Sequence, residues 1–171
     1  MQKFHSRAVP RIGGLGIFVA VIAASSLATL RSPDLGNYLL LLLLCSSVAF
    51  LGGLVEDSTK RVSAKRRLIL TMVAAGLGYF LLDAKIQRLD LVFTDFMLAW
   101  WIALPLTVLA VAGVANAINI IDGFNGLASV VTMFMLLSLA YVAFQVNDTF
   151  VLVSALVVAG AAAGFLVWNY P

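Results

Sequence analysis

The stretch YLLLLLLCSSVAFLGGLV, from Tyr38 to Val55, runs for 18 residues without a charge. A helical bilayer crossing takes about 20 predominantly apolar residues, so this stretch reads as a membrane span. Working outward from it, five more stretches read the same way: Ile12 to Leu30, Leu68 to Leu82, Phe96 to Ala115, Leu127 to Val146 and Phe150 to Trp168. The chain is 63% hydrophobic and 11% charged, with a mean hydropathy of +1.06. That composition offers water too little polar surface and makes a bilayer the natural solvent. The expected fold is all-α, a polytopic membrane helical bundle of about six transmembrane helices forming one integral-membrane domain over residues 1–171.

The polar residues then set the orientation. A net charge of +3 and a pI near 9.3 are those of many nucleic-acid binders, but the basic residues sit beside apolar spans, where they anchor topology and meet anionic headgroups. No nucleic-acid partner is expected. Cys45 is the lone cysteine, so there is neither a disulfide framework nor a thiolate metal site. Six crossings put Lys3, Arg7, Arg11, Lys60, Arg61, Lys65, Arg66 and Arg67 on one side, and Arg31, Lys85 and Arg88 on the other. The positive-inside rule makes the first side cytoplasmic, with both termini. Met1 to Arg11 is polar and basic and leads into a long apolar run, so the first span is read as retained, not as a cleaved signal.

Lysine and arginine alone fixed that assignment, yet it sorts the acids too. Glu56, Asp57 and Asp122 fall on the cytoplasmic side, whereas Asp34, Asp83, Asp90, Asp95 and Asp148 fall in or beside the outer loops. The cytoplasmic acids occupy two segments. In LGGLVEDSTKRVSAKRRL, Leu51 to Leu68, two glycines permit close helix approach, and Glu56 and Asp57 follow as an adjacent pair that can bind Mg²⁺ or divide metal binding and proton handling between them. Lys60 either contacts phosphate or pairs with Glu56. Membrane anchoring and substrate binding are equally open for Lys65, Arg66 and Arg67. In NAINIIDGFNGLAS, Asn116 to Ser129, the residues Asn116, Asn119 and Asp122 recur every third position and, in a helix, share a stripe about 120° wide that Gly123 and Gly126 would end. Such a stripe suits a metal or a phosphate.

A third segment, HSRAVPRIGGLGIF, runs from His5 to Phe18. Pro10 holds Val9 extended, and Gly13, Gly14 and Gly16 let backbone approach a helix or a ligand. Helix packing explains those glycines more simply than phosphate binding does. On its own, His5 reads as an exposed residue with no metal-ligand spacing around it.

In order and on one side, these segments resemble the polyprenyl-phosphate N-acetylhexosamine-1-phosphate transferases. HSRAVPRIGG resembles the family's first cytoplasmic motif, GLVEDSTKRVSAKRRL its acidic-pair loop, and NAINIIDGFNGLAS its Asn-Asn-Asp-Gly signature. The resemblance implies that a polyprenyl phosphate attacks the β-phosphate of a UDP-N-acetylhexosamine and releases UMP, starting a cell-surface glycan at a bacterial cytoplasmic membrane with the active face cytoplasmic. It implies Mg²⁺ as cofactor, with Mn²⁺ as a substitute, and a homodimer as an open option. Asp57 and Asp122 are the implied catalytic residues, Asp57 acting either as activator of the lipid phosphate or as direct nucleophile. Asp122 and Glu56 are the implied metal ligands; Asn116, Asn119, Asn125, Lys60 and His5 are the implied substrate contacts.

Two positions depart from the family pattern. Glu56 stands where many members have Asp, and Asn125 stands where several have a second Asp. Both look like features of an O-antigen and capsule branch. Members of the family have about ten or eleven spans, so the chain is expected to be part of a longer transferase. Two alternatives stand beside the enzyme. A truncated remnant of the family would carry the same motifs without turnover. An ion-coupled transporter would hold its acids near the bilayer midplane, whereas these gather at one face.

Overall fold

The computed structural model describes residues 13–59, 63–89, 98–121 and 126–169, without the side chains of Asp57 and Asn169. These residues form six helices and no strand: α1 Gly13–Arg31, α2 Pro33–Thr59, α3 Ala64–Leu81, α4 Trp100–Ile121, α5 Leu127–Gln145 and α6 Thr149–Asn169. All of them except α3 are long and apolar enough to cross a membrane. Helix α3 carries Lys65, Arg66 and Arg67 in its first turn, and its apolar part, Leu68 to Leu81, covers only about 21 Å at the helical rise.

The helices overrun the apolar stretches at their ends, because hydropathy locates the greasy middle of a helix whereas hydrogen bonding decides where it stops. Pro33 opens α2 at a position where its missing N–H costs nothing. The far end of α2 continues through Glu56 to Thr59, where the Ser58 and Thr59 hydroxyls donate to the Leu54 and Val55 carbonyls at 2.8 and 2.6 Å. Helix α4 runs on to Ile121, six residues past the expected end at Ala115, so Asn116 and Asn119 are helical. Gly126, with a φ of 74°, stands at the start of α5 as the N-cap residue, where left-handed backbone favours glycine.

Close packing groups the described residues into two units. One unit holds α1, the first residues of α2, the end of α4, and α5 and α6. Here α6 packs on both α5 and α1, presenting the buried Ala155, Ala159 and Ala162. Small residues let helix backbones approach where apolar lipid supplies no drive to bury large side chains. The turn from α1 to α2 is tight: Gly36 N–H donates to Ser32 O at 2.9 Å, and a methyl group at Gly36 would collide with the Thr29 backbone. Between α5 and α6, Asn147 takes φ 58° while Asp148 N–H reaches back to Ala143 O at 2.9 Å, a Schellman closure. The Asp148 carboxylate then caps α6 by accepting from Val151 N–H at 3.0 Å.

The other unit holds residues 41–117, comprising most of α2, all of α3 and α4 as far as Ala117. Gly52 lies against Leu70, so the α2 glycine does serve close approach of α3. At the α3–α4 connection, the buried Thr107 hydroxyl donates to Ala103 O at 2.7 Å and accepts from Ile86 N–H at 3.0 Å. Nearby, Lys85 pairs with Asp83 and lies 5.6 Å from the centre of the Tyr79 ring. Hydrogen bonding to Asp83 is the main reason the Lys85 ammonium titrates above its ordinary value.

Candidate functional site

At the other end of this second unit the ends of three helices meet through one side chain. Glu56 lies in the last turn of α2, Arg67 in the first turn of α3 and Asn116 in the later part of α4. Arg67 Nη1 donates to Glu56 Oε1 at 3.2 Å and Oε2 at 3.4 Å, and Arg67 Nη2 donates to Asn116 Oδ1 at 3.5 Å. The two charged side chains are about three-quarters buried, with exposures of 24% for Arg67 and 28% for Glu56.

Local physics alone would not put these charges there. A helix C-terminus carries partial negative charge and an N-terminus partial positive charge, each disfavouring like side-chain charge by about 0.3–1 kcal/mol. Yet α2 ends on Glu56 and Asp57, and α3 begins on Lys65, Arg66 and Arg67. Each helix end therefore works against its own dipole. The conflict is eased across the gap, because the acid on α2 meets the guanidinium on α3. Ser63 fixes where α3 starts: its hydroxyl accepts from Arg66 N–H at 3.4 Å, and its carbonyl accepts from Arg67 N–H at 3.2 Å.

The residues expected from the sequence divide clearly. Glu56 and Asn116, 60 positions apart in the chain, are brought to one cluster. Asn119 follows Asn116 by three residues on α4 and is exposed, with interactions of its own. Asp57 belongs to the last turn of α2, its side chain outside the described residues; His5, Lys60, Asp122 and Asn125 also lie outside them. The described partner of Glu56 is Arg67, a residue the sequence left open between membrane anchor and substrate contact. The opposed helix dipoles were the signal that could have singled it out.

Carboxylate oxygens are the hard donors Mg²⁺ prefers. Both Glu56 oxygens, however, face Arg67, and among the described residues no three His, Cys, Asp or Glu side chains gather as a cation site. In this arrangement Glu56 is a guanidinium partner.

Comparisons with known proteins match the same segments. Residues 39–171 match the model of glycosyl transferase family 4. The chain is 31% identical over 183 residues to a probable undecaprenyl-phosphate N-acetylglucosaminyl 1-phosphate transferase of Bacillus subtilis strain 168, covering 99% of this chain and 46% of that protein. It is 32% identical over 183 residues to a phospho-N-acetylmuramoyl-pentapeptide-transferase of Pelotomaculum thermopropionicum, covering 99% of this chain and 56% of that protein. A protein with the latter name from Bacillus licheniformis is 29% identical, with 98% and 55% covered. The chain thus spans about half the length of the curated relatives it matches. No solved structure matches it.

Proposed function

Because this chain belongs to glycosyl transferase family 4, we propose that it serves the transfer of an N-acetylhexosamine-1-phosphate from a UDP-sugar to undecaprenyl phosphate at the cytoplasmic face of a bacterial inner membrane. A phosphate oxygen of the lipid forms a bond to the β-phosphorus, the bond from that phosphorus to the UMP oxygen breaks, and UMP leaves. The observation that carries this reading is the Arg67 bridge, which joins the acidic-pair loop to the asparagine segment. Two stretches from different helices are thereby held together, which supports a site that they share.

The residues divide the work as follows. Asp57 activates the lipid phosphate by accepting its proton, or attacks directly. Asn116 and Asn119 orient Asp122 and nucleotide groups, Asn125 contacts substrate, and Lys60 and His5 contact substrate phosphate. Asp122 would hold Mg²⁺, for which Mn²⁺ can substitute, and Glu56, kept on Arg67, would add its charge beside that cation less directly. The cation supplies charge neutralisation for the diphosphate and the departing UMP. Eight basic residues beside the cytoplasmic ends support the orientation.

The test is transfer of label from radiolabelled UDP-N-acetylglucosamine to undecaprenyl phosphate in membranes carrying the protein. Lipid-linked label that needs a divalent cation is expected. Absence of lipid-linked label from every UDP-N-acetylhexosamine offered would overturn the reading.

A further inference from the structure

The bridge at Arg67 also decides which way an asparagine faces. A guanidinium donates hydrogen bonds and accepts none, so the atom Asn116 turns to Arg67 is its carbonyl oxygen, and the 3.5 Å contact is to Oδ1. The amide nitrogen Nδ2 then points away, and among the described residues it has no hydrogen-bond partner. An amide held this way offers donors to a ligand. It suits an acceptor such as a phosphate oxygen or a pyrimidine carbonyl and is turned the wrong way to coordinate a cation.

Arg67 is in turn held by Glu56. Nη1 reaches both carboxylate oxygens while Nη2 serves Asn116, so the planar fork spans two partners that belong to different helices. Lysine concentrates its charge on one atom and cannot reproduce that geometry. Since each group restrains the next, the chain of contacts from α2 through α3 to α4 fixes the amide before any ligand arrives.

We propose that Arg67 is a positioning residue which, anchored on Glu56, holds Asn116 Oδ1 and so commits the Asn116 amide to donate to an acceptor oxygen of the nucleotide substrate. The proposal rests on the transferase reading for the identity of that substrate; the bridge itself does not.

The experiment measures UMP binding to the purified protein in detergent by isothermal titration, for the wild type, Arg67→Ala, Arg67→Lys, Asn116→Ala and the Arg67→Ala/Asn116→Ala double variant. Each alanine substitution should weaken UMP about tenfold, the scale of one charge-assisted hydrogen bond. The double variant should be no weaker than the weaker single, because both remove the same contact. Arg67→Lys should behave as Arg67→Ala. Multiplying losses in the double variant, or wild-type affinity in Arg67→Lys, would overturn the proposal. Should the wild type bind neither UMP nor any UDP-sugar, the transferase reading fails, and the acceptor role of Asn116 fails with it. The melting temperatures of the same proteins then judge the bridge: non-additive losses retain it and additive losses overturn it.

Discussion

Arg67 and Glu56 form an ion pair 3.2 Å long that closes the end of α2 onto the start of α3. Neither residue suits its own helix end, and each suits the other. Polar groups placed against local preference are a common mark of functional sites. Here the pair also reaches Asn116 and thereby ties the two family motifs together.

Removing one partner strands the other in a mostly buried setting. Arg67→Ala should lower stability by about 1–2 kcal/mol, between the values for exposed pairs and for fully buried ones. Glu56→Gln should cost less, since the amide oxygen still accepts a hydrogen bond from the guanidinium. Thermal unfolding in detergent, followed by circular dichroism, measures the difference; equal melting of all three proteins would show that the pair contributes nothing.

Gly36 is required by space. A methyl group there would meet the Thr29 backbone, which has no rotamer to move into. Gly36→Ala should destabilise by about 1–3 kcal/mol, the range for forced overpacking. Gly16, with nothing within 4 Å, should accept alanine at little cost in the same unfolding measurement.

Thr107 is needed for its hydroxyl. Thr107→Val keeps the shape but leaves the Ile86 N–H without its acceptor, at an expected cost of about 1–3 kcal/mol. Thr107→Ser retains the oxygen and should stay near wild type. Hydrogen exchange at the Ile86 amide reads the same contact directly, with faster exchange expected in the valine variant alone.

These three cases show how much the sequence carries. Six helices, their order and most of their centres follow from apolar runs, and the membrane class follows from composition. The apolar span stops at Ala115 because Asn116 and Asn119 are polar, whereas the helix runs on through both to Ile121, as their three-residue spacing allowed. Asn116 and Glu56 were singled out by their motifs, and the structure brings them to one cluster. Arg67 was not singled out, because a basic residue beside a membrane span has an adequate explanation in headgroup binding until a contact shows otherwise. Gly126 was legible as a special backbone position, though not as the start of a helix.

The Asp83–Lys85 pair supplies a pH prediction. Asp83 raises the Lys85 pKa above its ordinary value of 10.5, chiefly through their hydrogen bond. A raised folded pKa means that the stabilisation is complete below the unfolded value and is lost as pH climbs through the folded one. Stability should therefore be flat through neutral pH and fall only in the alkaline range above 10.5. Asp83→Asn, which tolerates the same left-handed backbone at φ 55°, should return Lys85 to its ordinary titration in NMR spectra of the reductively methylated protein.

Aspartate at positions 57 and 122 carries the central claim. The decisive measurement is lipid-linked product from UDP-N-acetylglucosamine and undecaprenyl phosphate by membranes bearing Asp57→Asn or Asp122→Asn, with insertion checked by immunoblot. Each variant should insert normally and lose at least about a hundredfold in turnover, as expected when a proton acceptor or a cation ligand is neutralised. Turnover at the wild-type level in both would contradict the account.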